Sequence, residues 1–126
     1  MPARPRTPVL IGYGQLNQPD GTREPKEPVA LMAEAAAAAA DPRVLAAADA
    51  IRVVKVLSWR YRDPGLLLGE LIGADRPATR YSGVGGNMPQ SLVNQACLDI
   101  AAGRAEVVVL AGAETWRTRK RLQNNG

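Results

Sequence analysis

The sequence predicts an α/β fold, a mainly parallel sheet whose elements follow in the order β-α-β-α-β-α-β. Three observations carry that expectation. The apolar runs at residues 8–13, 51–57 and 106–111 are rich in branched side chains and nearly continuous, which is the pattern of strands covered on both faces. The segments between them have helical spacing and helical punctuation, with proline near the start and glycine at the end. The links are short, so right-handed crossovers lay the helices against the sheet.

In chain order, the first strand at 8–13 runs into Gly12, Tyr13 and Gly14. The polar stretch 15–27, with Gln18, Pro19, Asp20 and Gly21, reads as a surface loop. The first helix opens at Glu27 with Pro28 in its first turn, continues through the alanines at 35–40 and stops at Asp41 and Pro42. The second strand occupies 51–57. A shorter helix at 65–72 ends at Gly73, and a weaker strand candidate follows at 79–84. The longest helix, 87–102, ends at Gly103. In it Leu92, Val93, Ala96, Cys97, Ile100 and Ala101 recur as one apolar stripe, expected to be buried, while Asn94, Gln95, Asp99 and Arg104 fall elsewhere. The last strand is 106–111. Residues 1–126 thus read as one domain, with 117–126 a frayed basic and polar tail.

Composition narrows the function. With 126 residues, 46% hydrophobic and 22% charged, the chain has the make-up of a single soluble domain. No apolar run approaches the roughly 18–20 residues of a membrane span, and the first six residues lack the apolar stretch of a signal peptide, so a cytoplasmic location is expected. A single cysteine excludes an internal disulfide and a cysteine-only zinc site. The absence of histidine excludes histidine metal ligands, Ser-His-Asp triads and Cys-His pairs built from this chain alone. Neither a metal nor a bound cofactor is expected. The net charge of +4 is dispersed except for Arg117, Arg119, Lys120 and Arg121 behind Trp116. A nucleic-acid footprint needs a basic face with stacking groups around it, so this run reads as a solvated end and no nucleic-acid partner is expected.

Two glycine turns invite chemistry. Gly12-Tyr13-Gly14 follows a strand, but the third glycine of a dinucleotide loop is missing and no acidic residue closes the second strand, so it reads as a tight turn. Gly83-Val84-Gly85-Gly86-Asn87 leads into the longest helix, and Gly85, Gly86 and Asn87 are the candidate binding residues. Helix N-terminal amides lower the pKa of a thiol placed there and hold a developing oxyanion, as acyl transfer requires. The plainer alternative is that these glycines let the helix enter a crowded interior.

Residues 91–115, Ser-Leu-Val-Asn-Gln-Ala-Cys-Leu-Asp-Ile-Ala-Ala-Gly-Arg-Ala-Glu-Val-Val-Val-Leu-Ala-Gly-Ala-Glu-Thr, resemble the buried helix and following strand of the thiolase superfamily. The Ile-Ala-Ala-Gly at 100–103 and the Ala-Gly-Ala-Glu at 111–114 are the most specific parts. Pro-Val-Leu-Ile-Gly-Tyr-Gly-Gln at 8–15 is similar to the family's first strand, and Glu27-Pro28 opens what would be its first helix. The nearest flavour is the sterol-carrier-type thiolase-like proteins of actinobacteria, usually labelled acetyl-CoA acetyltransferases. The resemblance spans residues 8 to about 118 and implies most of the first of the two similar halves of such a subunit.

Two departures qualify what the resemblance implies. The family's nucleophilic cysteine, in a Cys-x-Ser-Gly turn at the helix start, corresponds to Gly86, followed by Asn87, Met88 and Pro89. Cys97 lies three turns into the helix and is no substitute. The family's second-half histidine and cysteine, and the loop that grips coenzyme A, have no counterpart within these 126 residues. The expectation is therefore a relative of thiolase-type acyl-CoA acyltransferases that is inactive as this chain, with no catalytic residue of its own. A coenzyme A thioester is a possible substrate only in a longer chain, and a homodimer or second subunit is the expected partner, meeting at the 79–84 edge. The alternatives are a structural half-domain of a larger assembly and a basic nucleic-acid module resting on 117–121.

Overall fold

The computed structural model describes residues 6–19, 21–22 and 24–125. Helix α1, Pro28–Ala39, has proline in its first turn, where a missing N–H costs nothing, and ends as Ala40 turns extended (φ −152°, ψ 157°). The next residue, Asp41, precedes a proline and is extended as well, because that proline disfavours helical backbone before it. Asp41 then caps a short helix α2, Pro42–Ala46, which the sequence pattern does not announce; its Oδ1 accepts the Arg43 N–H at 2.8 Å. Strand β1, Ala50–Val53, follows. Helix α3, Pro64–Ile72, is capped by Asp63, whose Oδ1 accepts the Leu66 N–H at 3.2 Å while its other oxygen accepts the Thr79 hydroxyl at 2.7 Å. Strand β2, Ala78–Tyr81, helix α4, Met88–Ala101, strand β3, Val108–Ala111, and helix α5, Trp116–Asn125, complete the order.

The sheet is three-stranded and all parallel, in the order β2-β1-β3, with Ile51 opposite both Thr79 and Val109. The central strand β1 is buried along its whole length. On one face Ile51 and Val53 pack with Val29 and Met32 of α1, Leu68 of α3, and Ala48 and Val56 from the chain on either side of β1. Arg52, alternating to the opposite face, meets α4. The architecture is α/β, as the apolar runs predict.

Three expectations are corrected. Residues 8–13 form no strand: among the described residues Pro8 to Gly14 make no backbone–backbone hydrogen bond, and the sheet consists of β2, β1 and β3. The segment instead lies against α1. A Cβ on Gly12 or Gly14 would overlap the carbonyl oxygen of Ala39 or Ala35, so glycine permits this approach. The α4 stripe is half right. Leu92, Ala96 and Asp99 are buried, whereas Val93, Cys97 and Ala101 are exposed, since α4 is seated on the sheet through a charged residue that the hydrophobic pattern assigns to the other side. The stretch at 117–126, expected to be a frayed tail, is helical through Asn125. Thr118 is buried and its hydroxyl donates to the Lys26 carbonyl at 3.1 Å, and Arg121 donates to the Thr22 carbonyl at 2.8 Å.

Candidate functional site

Parallel strands all deliver their loops to one end of the sheet, where ligands of open α/β sheets bind. Side chains tie those loops together here. Glu114, after β3, accepts the Leu57 and Ser58 N–H groups at 2.6 and 2.8 Å, one on each carboxylate oxygen. Ser58 Oγ in turn accepts the Thr115 N–H at 2.8 Å. Tyr81, ending β2, accepts the Val56 N–H at 2.9 Å, and Ser82 Oγ accepts the Lys55 N–H at 2.9 Å. The loop after β1 is thus clamped by the loops on both sides of it. Tyr61, further along that loop, donates to Glu27 and accepts the Val29 N–H at 3.1 Å; burial holds its hydroxyl protonated far above the usual phenol range.

The turn carrying Gly85, Gly86 and Asn87 leaves this same end, between β2 and α4. The Met88 N–H donates to the Gly85 carbonyl at 3.1 Å and the Ser91 N–H to the Asn87 carbonyl at 3.0 Å, so the turn feeds directly into the helix. Asn87 makes no side-chain cap. Gly85 is half-buried, and a Cβ on it would crowd Asn87 Oδ1 at 2.7 Å. Gly86 is different. It is exposed, its φ is not positive, and a Cβ there would meet nothing within 4 Å. Crowding does not require a glycine at 86, so the plainer reading of the turn fails at that residue. A side chain would stand free at the positive end of a 14-residue helix.

The charged cluster under α4 has no counterpart among the sequence expectations. Asp99 Oδ2 accepts from Arg52 Nη2 at 2.5 Å, and Oδ1 accepts from Arg104 Nε at 2.8 Å and Gln95 Nε2 at 3.0 Å. Arg104 first, then Arg52, hold the Asp99 carboxyl at about 2. Arg52 Nη1 is buried without a partner. The available signal was an arginine inside an otherwise apolar strand. The cluster lies eleven residues along α4 from Met88, about 16 Å at 1.5 Å per residue, so it supports the helix and does not reach the turn. Cys97 is exposed on α4 and comparably remote from Gly86.

No family model and no curated protein matches the sequence. Among solved structures, a monomeric SCP2-thiolase like protein type 1 from Mycobacterium smegmatis is 33% identical over 88% of this chain, with a TM-score of 0.74. The fold is thiolase-like. The chain spans 24% of that protein's length. Among the described residues no group of three histidine, cysteine, aspartate or glutamate side chains is placed to hold a metal ion. None of the described helices is long and apolar enough to cross a membrane.

Proposed function

We propose that this chain is a member of the thiolase-like acyl-CoA acyltransferases, of sterol-carrier type, in which the acyl-carrying position is vacant. The single supporting observation is Gly86: an exposed glycine at the N-terminus of α4, with open space around its missing side chain, where the resemblance puts a thiolase's nucleophilic cysteine. Thiolase chemistry needs a thiolate that accepts an acyl group from a coenzyme A thioester and a base that removes a proton from the second substrate. With glycine at 86 and no histidine in the sequence, these 126 residues supply neither. What the turn retains is the electrostatic half of the site: a helix N-terminus beside backbone N–H groups, suited to an anionic or carbonyl oxygen. In this reading Gly85, Gly86 and Asn87 contact the acyl end of a thioester without forming a covalent bond, and acyl-CoA binding belongs to a longer or partnered form in the cytoplasm.

The test is incubation of the chain with acetyl-CoA while free coenzyme A is followed. Release stays at the background rate for the chain as it stands. Turnover above background that survives Cys97→Ala would overturn the assignment of Gly86 as an empty nucleophile position.

A further inference from the structure

We propose that α5 and the loop at 58–60 form a docking surface for single-stranded nucleic acid, a flexible phosphodiester strand with unpaired bases. Four of the ten residues of α5 are cations, Arg117, Arg119, Lys120 and Arg121, and none is acidic. Taken alone, the run lacks the stacking groups that such a surface needs. The fold supplies them. Ser58 Oγ accepts the Thr115 N–H at 2.8 Å, which fastens the loop after β1 to the start of α5 and sets Trp59 and Arg60 beside Arg119. The Arg119 guanidinium lies over the Trp116 ring, 5.5 Å from its centroid, while Trp116 remains 52% exposed. Two indole rings and a guanidinium plane, the groups on which bases stack, therefore share one basic surface.

Three hollows open to solvent follow one another along it. One of about 280 Å³ lies between Trp59, Arg60, Arg119 and Leu122. The next, about 420 Å³, shares Arg119 and adds Trp116 and Lys120; the last, about 480 Å³, shares Lys120 and adds Arg117 and Arg121. Among the described residues no acidic side chain lines any of the three. Glu114, just before α5, has both carboxylate oxygens turned to the Leu57 and Ser58 N–H groups. Thr118 and Arg121 seat the helix on the Lys26 and Thr22 carbonyls, a contact that Arg119 and Lys120 do not share. Ten residues make α5 about 15 Å long, the span of about four phosphates of one strand. An anionic membrane fits less well, because an interfacial helix needs a continuous apolar face. The exposed apolar residues of α5, Trp116 and Leu122, are six positions and hence about 120° apart around the axis. An acidic protein surface would answer the charge and leave the rings unused. Gly86 lies after β2, at the opposite edge of the sheet from β3, and plays no part in this surface.

The experiment titrates the chain into a fluorescein-labelled twelve-nucleotide oligo(dT) and reads polarisation. Binding saturates, is tighter than to a duplex of the same length, and weakens with salt at a log–log slope of about −3, as about four phosphates of a single strand require. Arg119→Gln with Lys120→Gln makes that slope shallower by about 1.4, the share of two phosphate contacts. Trp116→Ala lowers affinity by about fivefold or more and leaves the slope unchanged, since stacking on a ring releases no counterions. Arg43→Gln with Arg80→Gln removes the same charge outside the three hollows and changes neither quantity. No saturable binding, a duplex bound as tightly as the single strand, or equal effects of the two paired variants would each overturn the proposal. So would displacement by polyglutamate, coenzyme A or phosphatidylserine vesicles as readily as by unlabelled oligo(dT). None of these outcomes bears on Gly86, which is tested by thiol reactivity.

Discussion

Arg52 and Asp99, 47 residues apart in sequence, form a buried ion pair that joins the middle strand to α4. Removing two charges from water is costly, and their attraction offsets that cost only while both partners are present. Asp99→Ala leaves Arg52 buried and unpaired, and is expected to destabilise the chain far more than Arg104→Ala, because the Arg104 side chain is largely exposed. The double change Arg52→Met with Asp99→Leu removes both charges and is expected to be milder than Asp99→Ala alone. Urea unfolding of the three variants and the parent checks the order. A double variant as unstable as the single one would show that the pair adds net stability.

The same carboxylate sets an acid response. Its folded pKa of about 2 lies below the ordinary 3.8, so between these values the unfolded chain binds more protons than the folded one. Its contribution is complete above pH 3.8 and is lost as pH falls toward 2. Asp41, held below the usual carboxylate range by Arg43, acts in the same direction. Melting temperatures across pH 5 to 2 should fall more steeply for the parent than for Asp99→Asn. Parallel curves would show that Asp99 is not a source of the acid sensitivity.

What could be read from the sequence follows from which forces leave local marks. Continuous apolar runs mark parallel strands, and β1 and β3 lie largely within two of them, while β2 overlaps the weaker candidate at 79–84; β1 is buried along its length, whereas β2 and β3 are partly exposed. Prolines and glycines punctuate the helices, with Gly73 left-handed (φ 78°) after α3, at the predicted stop. Pairing leaves no local mark. Residues 8–13 have the composition of a strand, but a strand also needs a neighbour, and the order β2-β1-β3 is decided by contacts distant in sequence. Asp99 is misplaced by its hydropathy for a related reason. Hydropathy assigns a carboxylate to water, and only the third dimension brings Arg52 to it. At the candidate site the glycines and the helix start were legible, while the open space at Gly86 is a property of coordinates alone.

Two glycines that look alike in sequence should respond oppositely. At Gly12 a Cβ overlaps the Ala39 carbonyl, so Gly12→Ala must move the segment off α1 and is expected to cost about 1–3 kcal/mol, the usual penalty of overpacking. At Gly86 it meets nothing, and Gly86→Ala is expected to lie within about 0.5 kcal/mol of the parent. Denaturant midpoints measured side by side decide it; equal effects would mean that residues 8–13 are not seated where the structure puts them.

The Thr115 hydroxyl is buried without a hydrogen-bond partner, although the backbone N–H of the same residue is held by Ser58. An unsatisfied buried polar group costs about 1–3 kcal/mol. Thr115→Val keeps the shape and removes that group, so it should be neutral or stabilising. A measured loss above about 1 kcal/mol would reveal a partner for the hydroxyl.

The proposed acyl position has a direct chemical test, independent of turnover. Gly86→Cys places a thiol at the N-terminus of α4, where the helix dipole and the first-turn N–H groups favour the thiolate, whereas Cys97 sits in the interior of the same helix without that field. Both positions are solvent-accessible, so access does not separate them. In a Cys97→Ala background the new thiol should alkylate with iodoacetamide at pH 7 several-fold faster than Cys97 does in the parent chain. Equal rates at pH 7 would mean that the turn at Gly85, Gly86 and Asn87 exerts no useful field, and the acyl-site reading would then lack its physical basis. A fast-reacting thiol at position 86 without thioester turnover would instead match a position that kept its electrostatics but lacks the family's second-half histidine and cysteine, which have no counterpart in these 126 residues.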